Sequence, residues 1–93
     1  MTIRLLIKSR LKPGQAAAYA KAFGPIEKET QAEPGCLQYE LFQSVSHPDS
    51  VVLMEQWTDQ AALDAHLEIM KKRDMSVHGG LRLEPPTRER YDS

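Results

Sequence analysis

Val51-Val-Leu-Met-Glu-Gln-Trp57, followed at once by Thr58-Asp-Gln-Ala-Ala-Leu-Asp-Ala-His-Leu67, decides how this chain is read. The first seven residues alternate. Val51, Leu53, Glu55 and Trp57 share one side, and Val52, Met54 and Gln56 the other, the period of a strand. The pattern then changes to a helical one. Thr58 or Asp59 offers a side-chain oxygen to the free N–H groups of a helix start. Leu63, His66, Leu67 and Met70 fall at i, i+3, i+4 and i+7 along the helix, which runs through about Met70 and toward Lys72, forming one apolar stripe. A strand that leads straight into such a helix is covered by it on one face. If that face is the one with Glu55 and Trp57, then a carboxylate and an indole lie opposite an imidazole.

The same reading extends in both directions. Residues 2–11, TIRLLIKSRL, form a strand with Ile3, Leu5 and Ile7 on one face and Arg4, Leu6 and Lys8 on the other. Pro13-Gly14 opens a helix with the stripe Tyr19, Ala22, Phe23 and Ile26. Gly24-Pro25 predicts a kink or short break in it, because proline removes a backbone donor and clashes with the preceding turn. Glu33-Pro34-Gly35 is a turn. Residues 36–45, CLQYELFQSV, form a second strand, with Leu37, Tyr39 and Leu41 opposed to Gln38, Glu40 and Phe42. Ser46-His-Pro-Asp-Ser50 makes its connection to residues 51–57 a hairpin. Residues 69–80 carry little pattern and end at Gly79-Gly80, which suits a helix stop; a last strand occupies residues 81–91, with Pro85-Pro86 as a bulge or break.

The order β-α-β-β-α-β predicts an α+β domain of ferredoxin-like split βαβ type over residues 1–93, a four-stranded antiparallel sheet with both helices on one face. The uncovered face then shows Leu6, Phe42, Val52 and Met54. Four large apolar side chains left bare are a liability, so a symmetric homodimer through that face is expected. The other possibility is a half-solvated sheet that tolerates them.

Composition excludes several classes. The formal net charge of −1 gives no basic surface for nucleic acid. No run is apolar and long enough to span a membrane, and MTIRLLIKSR lacks the apolar core of a signal peptide. The single cysteine, Cys36, reads as a small buried hydrophobe in a reducing cytoplasm. Three widely separated histidines and one cysteine give no zinc spacing, so no metal is expected. Gly79-Gly80 is far too little for a phosphate loop.

Tyr39, Glu55, Trp57 and His66 therefore converge beneath the helices. Each has a plain structural role open to it: Trp57 as core anchor, His66 as a satisfied helix-face histidine, Glu55 in an ion pair, Tyr39 capping the core. A buried carboxylate and imidazole are costly unless paired or hydrated, and a small cavity is one way to hydrate them. His78 either lines the mouth of that cavity or lies on a surface loop.

EPGCLQYELFQS, HPDSVVLMEQWTDQAALDAHL and LEPPTRERYD together resemble the antibiotic biosynthesis monooxygenase family of dimeric α+β barrel proteins. The resemblance covers nearly the whole chain. It implies a homodimer with a cavity between sheet and helices, and oxygenation of quinols or aromatic polyketides without metal or flavin. The chain departs from many members after His66-Leu67, where Glu68-Ile-Met-Lys-Lys72 stands in place of a segment with a second histidine, and Lys71 falls near that position. It contains no asparagine, and His66 stands roughly where haem-degrading relatives carry a tryptophan.

The leading expectation is thus a cofactor-independent monooxygenase acting on a small electron-rich aromatic. His66 is the proton acceptor, since imidazole titrates near neutral pH, and Glu55 orients it. Trp57, Tyr39 and Met70 contribute walls, and His78 or Arg82 assists an anionic intermediate. A second reading is a dimeric small-molecule-binding or stress-associated module that keeps the pocket without catalysis. A third, an isomerase of a small sugar-derived phosphate, lacks a phosphate cradle.

Overall fold

A computed structural model describes residues 2–93. The elements are β1 (Ile3–Arg10), α1 (Ala16–Gln31), β2 (Cys36–Gln43), β3 (Ser50–Trp57), α2 (Gln60–Lys71), α3 (Ser76–Leu81) and β4 (Thr87–Asp92). The four strands form one antiparallel sheet in the order β2-β3-β1-β4. This is the ferredoxin-like arrangement, reached because each helical crossover, β1 to β2 and β3 to β4, joins strands that are consecutive in sequence but not adjacent in the sheet.

Alternation holds along β3. Val51, Leu53, Glu55 and Trp57 are buried, and the residues between them are half-buried. The main core joins Ile3, Phe23, Tyr39, Leu53, Trp57 and Leu63. Trp57 is 0 % exposed, and burying an indole contributes roughly 4–6 kcal/mol at about 25 cal/mol per Å². That single anchor is of the size needed to offset a nearby buried acid, whose desolvation costs several kcal/mol.

Five local expectations are corrected. Leu37 does not join Tyr39 on the inner face. A bulge between Cys36 and Gln38 makes Cys36 the partner of Trp57, and Leu37 is exposed. Pro25 neither breaks nor ends α1, which is continuous from Ala16 to Gln31. Lys21, whose carbonyl loses its donor, lies with Gly24 and Pro25 on the exposed side, where water replaces the missing bond. Pro13-Gly14 forms the turn ahead of α1 rather than its first turn, with Gly14 at φ +76°. Gly79-Gly80 is not a helix stop; both lie inside the short extra helix α3. Last, β4 begins only after Pro85-Pro86, and Arg82 meets Leu11 in an isolated bridge instead.

Asp59 is the cap of α2, accepting from the Ala62 N–H at 2.8 Å. The opposite face of the sheet shows Leu6, Val52 and Met54 half-buried and Phe42 exposed. Among the described residues no helix is long and apolar enough to cross a membrane.

Gly35 fixes how closely the start of β2 approaches α2. It sits at φ +82°, and a Cβ there would meet the Ala62 Cβ at 2.4 Å and Thr58 Oγ1 at 2.8 Å. Gly14 has a similar φ but nothing within 4 Å. Gly35→Ala is therefore expected to lose on the order of 2–4 kcal/mol, combining left-handed strain with overpacking, and Gly14→Ala only about 1–2 kcal/mol. Chemical denaturation of both variants checks the difference; equal losses would remove the packing argument.

Candidate functional site

The site grows from three short pieces of chain. Glu55 and Trp57, two apart on β3, point to the same face. The indole Nε1 donates to Glu55 Oε1 at 3.0 Å, with both side chains buried. Across from them His66 projects inward from α2 and is 3 % exposed. Its ring packs on Trp57 at a centroid distance of 4.7 Å and against Tyr39 at 5.3 Å.

The two nitrogens of His66 face different carboxylates. Nδ1 lies 3.1 Å from Glu33 Oε1 and 3.4 Å from Oε2. Nε2 lies 4.0 Å from Glu55 Oε1, too far for a direct hydrogen bond. A carboxylate accepts and does not donate, so Glu33 assigns the ring proton to Nδ1. The lone pair of the neutral ring is then at Nε2, on the side of Glu55. Burial, the largest effect, pushes the Glu55 carboxyl above its ordinary range, while the bond from Trp57 and the charges of His66 and Arg88 pull it back. Burial likewise drives the Tyr39 phenol well up, so its hydroxyl keeps its proton.

A cavity of about 290 Å³ lies between sheet and helices, with Tyr39, Glu55, His66, Met70, Arg82 and Arg88 on its wall among apolar side chains such as Ile7 and Leu53. It is at the small end of ligand pockets, which run from roughly 300 to 1,000 Å³. Among the described residues no three His, Cys, Asp or Glu gather in a metal-holding arrangement. Glu33 and Glu55 approach opposite nitrogens of one ring and so do not share a centre.

Two expected site residues do not reach this wall. Trp57 is wholly enclosed in the core and is linked to the wall by its hydrogen bond to Glu55. His78 is neither at a cavity mouth nor on a surface loop. It lies on α3, buried edge-on against Tyr19 and Phe23 at 5.5 and 5.9 Å, because α3 folds back over α1. Burial lowers its tendency to protonate.

Sequence reasoning missed Glu33, Tyr19 and Arg88. Glu33 reads as part of a turn, and no periodicity links it to a histidine 33 residues on. Arg88 has a signal in the register, since it pairs with Ile7 of the inner-facing set. Tyr19 reads as stripe, yet its hydroxyl accepts from Arg82 Nη2 at 3.0 Å.

A carboxyl with a raised folded-state pKa costs stability once ionised. The penalty is absent below the unfolded value and grows as pH climbs through the gap to the folded value. Above that it is fully present. Glu55→Gln keeps an oxygen for the Trp57 N–H and removes the charge. Its Tm relative to the parent should therefore rise as pH increases from below the ordinary value of 4.5 toward neutrality. Each tenfold weakening of the ionisation is worth about 1.4 kcal/mol, or roughly 6–11 °C in a domain of this size. Thermal melts across about pH 3.5–8 check it, and a constant difference would show that Glu55 is not desolvated.

Comparison with known proteins places this geometry in a family. The family model described as antibiotic biosynthesis monooxygenase matches residues 2–69. YcnE of Bacillus subtilis, named as a candidate monooxygenase, is 30% identical over 59 residues, which are 63% of this chain and 62% of YcnE. The match thus spans less than two thirds of that relative's length. A conserved protein from Methanosarcina mazei superposes with a TM-score of 0.86 at 22% identity, covering 98% of this chain and 91% of the other. A candidate antibiotic biosynthesis monooxygenase from Nitrosomonas europaea gives 0.86 at 18%, covering 99% and 89%. At such identities the two structures speak for the fold alone. With the family match running through β1, α1, β2, β3 and nearly all of α2, His66 included, the chain belongs to the antibiotic biosynthesis monooxygenase family.

Proposed function

We propose that the cavity binds a small electron-rich aromatic, a quinol or polyketide-like phenol, and that the protein oxygenates it with molecular oxygen without metal or flavin. The observation that carries this reading is the imidazole of His66, with Nδ1 tied to Glu33 and Nε2 left as acceptor on the cavity wall.

An anthrone-type substrate shows the balance. Its enol form gives the phenolic proton to His66 Nε2. The electron-rich anion passes one electron to oxygen, and the resulting superoxide and ring radical join at carbon as a peroxide. The O–O bond then breaks as the remaining C–H proton leaves. One oxygen stays as a carbonyl and the other departs as water, taking the proton back from His66. The methylene is oxidised by four electrons and the oxygen molecule reduced by four. Tyr39, held protonated, donates a hydrogen bond to the anion or peroxide, and the apolar walls limit water.

The test is oxygen uptake with anthrones and hydroquinones. A general base contributes about 10²–10⁴-fold, so His66→Ala should lose at least about 100-fold in kcat/KM while keeping a native circular-dichroism spectrum. Turnover that survives the substitution would rule out His66 as the base.

A second reading, a binding module without catalysis, is favoured by one observation. Lys71, which falls near the expected second-histidine position, points into solvent and pairs with Glu68 at 2.9 Å. Stabilisation by small aromatics with no oxygen uptake from any of them would select it.

The functional unit in this proposal is a homodimer through the outer sheet face. Leu6, Phe42, Val52 and Met54 form a contiguous apolar surface there, rimmed by Lys8 and Arg10, the composition of a self-complementary interface. Met54→Lys should convert a dimer in analytical ultracentrifugation to a monomer, and a parent protein that sediments as a monomer would overturn this part.

A further inference from the structure

The cavity is chemically different at its two ends, and the sheet register gives the direction. Glu55 pairs with Leu5 of β1, Arg88 of β4 with Ile7, and Arg82 bridges to Leu11. Leu5, Ile7 and Ser9 run along one face of β1, and Leu11 follows in the same alternation just beyond its end. The wall therefore passes from acid and imidazole, through Arg88, to Arg82 and Tyr19, and these groups all line the one cavity.

The guanidinium at the far end is incompletely matched. Arg82 Nη2 donates to the Tyr19 hydroxyl at 3.0 Å, and its carbon stands 5.7 Å from the Tyr19 ring. Its Nε is buried with no hydrogen-bond partner. Among the described residues neither Arg82 nor Arg88 has a carboxylate within salt-bridge distance, whereas Arg10, Arg73 and Arg90 each have one. A buried donor without an acceptor costs on the order of 1–3 kcal/mol, and buried charge is ordinarily paired. The Tyr19 hydroxyl accepts from Arg82 and still has its own proton to give. Arg88, exposed on the wall, adds a second positive charge at the rim.

We infer that Arg82 and Tyr19 form an anion subsite, so that the aromatic ligand carries a carboxylate at the end away from the ring proton taken by His66. A carboxylate fits the demand: its two oxygens meet the fork of a guanidinium and accept the tyrosine proton. The neutral ring lies along the apolar middle of the cavity, and the ionisable hydroxyl reaches His66 and Glu55. This rests on the proposed aromatic substrate class but needs no turnover.

The test separates the two. Binding of 2,5-dihydroxybenzoate and of its neutral isostere 2,5-dihydroxybenzamide is measured by titration calorimetry under nitrogen, with the whole chain. The parent should bind the carboxylate at least about tenfold more tightly than the amide, a difference of about 1.4 kcal/mol. Arg82→Gln should bring the two ligands within about twofold by weakening the carboxylate alone. Arg82→Lys, which keeps charge without the fork, should retain part of the preference and guards against a folding defect in the first variant. Equal binding of both ligands by the parent, no binding of either, or a preference that survives Arg82→Gln overturns the subsite. Carboxylate preference without oxygen uptake would leave the subsite standing and count against oxygenation. Oxygen uptake that is indifferent to the carboxylate would do the reverse.

Discussion

The close approach of Gly35 to Ala62 sets the geometry on which the site depends. Ala62 lies one helical turn before His66 on α2, and Glu33 lies two residues before Gly35. Bringing the glycine against the alanine therefore brings the carboxylate against the imidazole. The Thr58 N–H donates to the Gly35 carbonyl at 2.9 Å, tying the end of β3 to the same turn. A side chain at position 35 would push turn and helix apart. The contact from Glu33 to Nδ1, at 3.1 Å, has little slack to absorb that. A packing constraint is in this way also a constraint on proton position.

Around that contact the buried polar groups are satisfied in series. The Trp57 indole meets Glu55, Glu55 faces one nitrogen of His66, and Glu33 holds the other. Each group answers a need of its neighbour. The indole N–H requires an acceptor when enclosed, and so does the N–H of the buried imidazole. The 4.0 Å gap from Nε2 to Glu55 is the one place where the series is open, and it opens onto the cavity. Local satisfaction thus ends at the cavity wall, which distinguishes this cluster from a polar core network closed on itself.

Much of this was legible in the sequence. Alternation along residues 51–57 and the stripe through Leu63, His66 and Met70 place Glu55, Trp57 and His66 without further information, since a period of two or 3.6 assigns a face to every residue. What alternation does not encode is reach. Trp57 has the right face but is too deeply enclosed to reach the cavity, and Met70 has it at the margin and lines the wall. Leu37 shows a different loss: one extra residue in the bulge moves it off the face that parity assigns. Glu33 was illegible because a turn has no period, and its partner is set by the tertiary approach at Gly35. His78 lies in a segment whose polar composition hides a six-residue helix, closed over α1 by contacts distant in sequence.

The two faces of the sheet make opposite demands on β3, and together they lock its register. A slip of one residue would bring Met54 and Gln56 beneath the helices and turn Glu55 and Trp57 outward. The inner side would then lose both its carboxylate and its largest anchor, and the outer side would gain a charge in place of Met54. Either exchange alone would be unfavourable; because the slip forces both, neither face can relax at the expense of the other. The bulge in β2 fits the same logic. It brings Cys36, rather than the larger Leu37, opposite Trp57, where the small side chain packs against the core and Gly35 beside it reaches Ala62. A straight strand of the same sequence would set leucine against the indole at the point where turn and helix come closest. The irregularity in β2 is therefore the local adjustment that lets a regular β3 present Glu55 to His66.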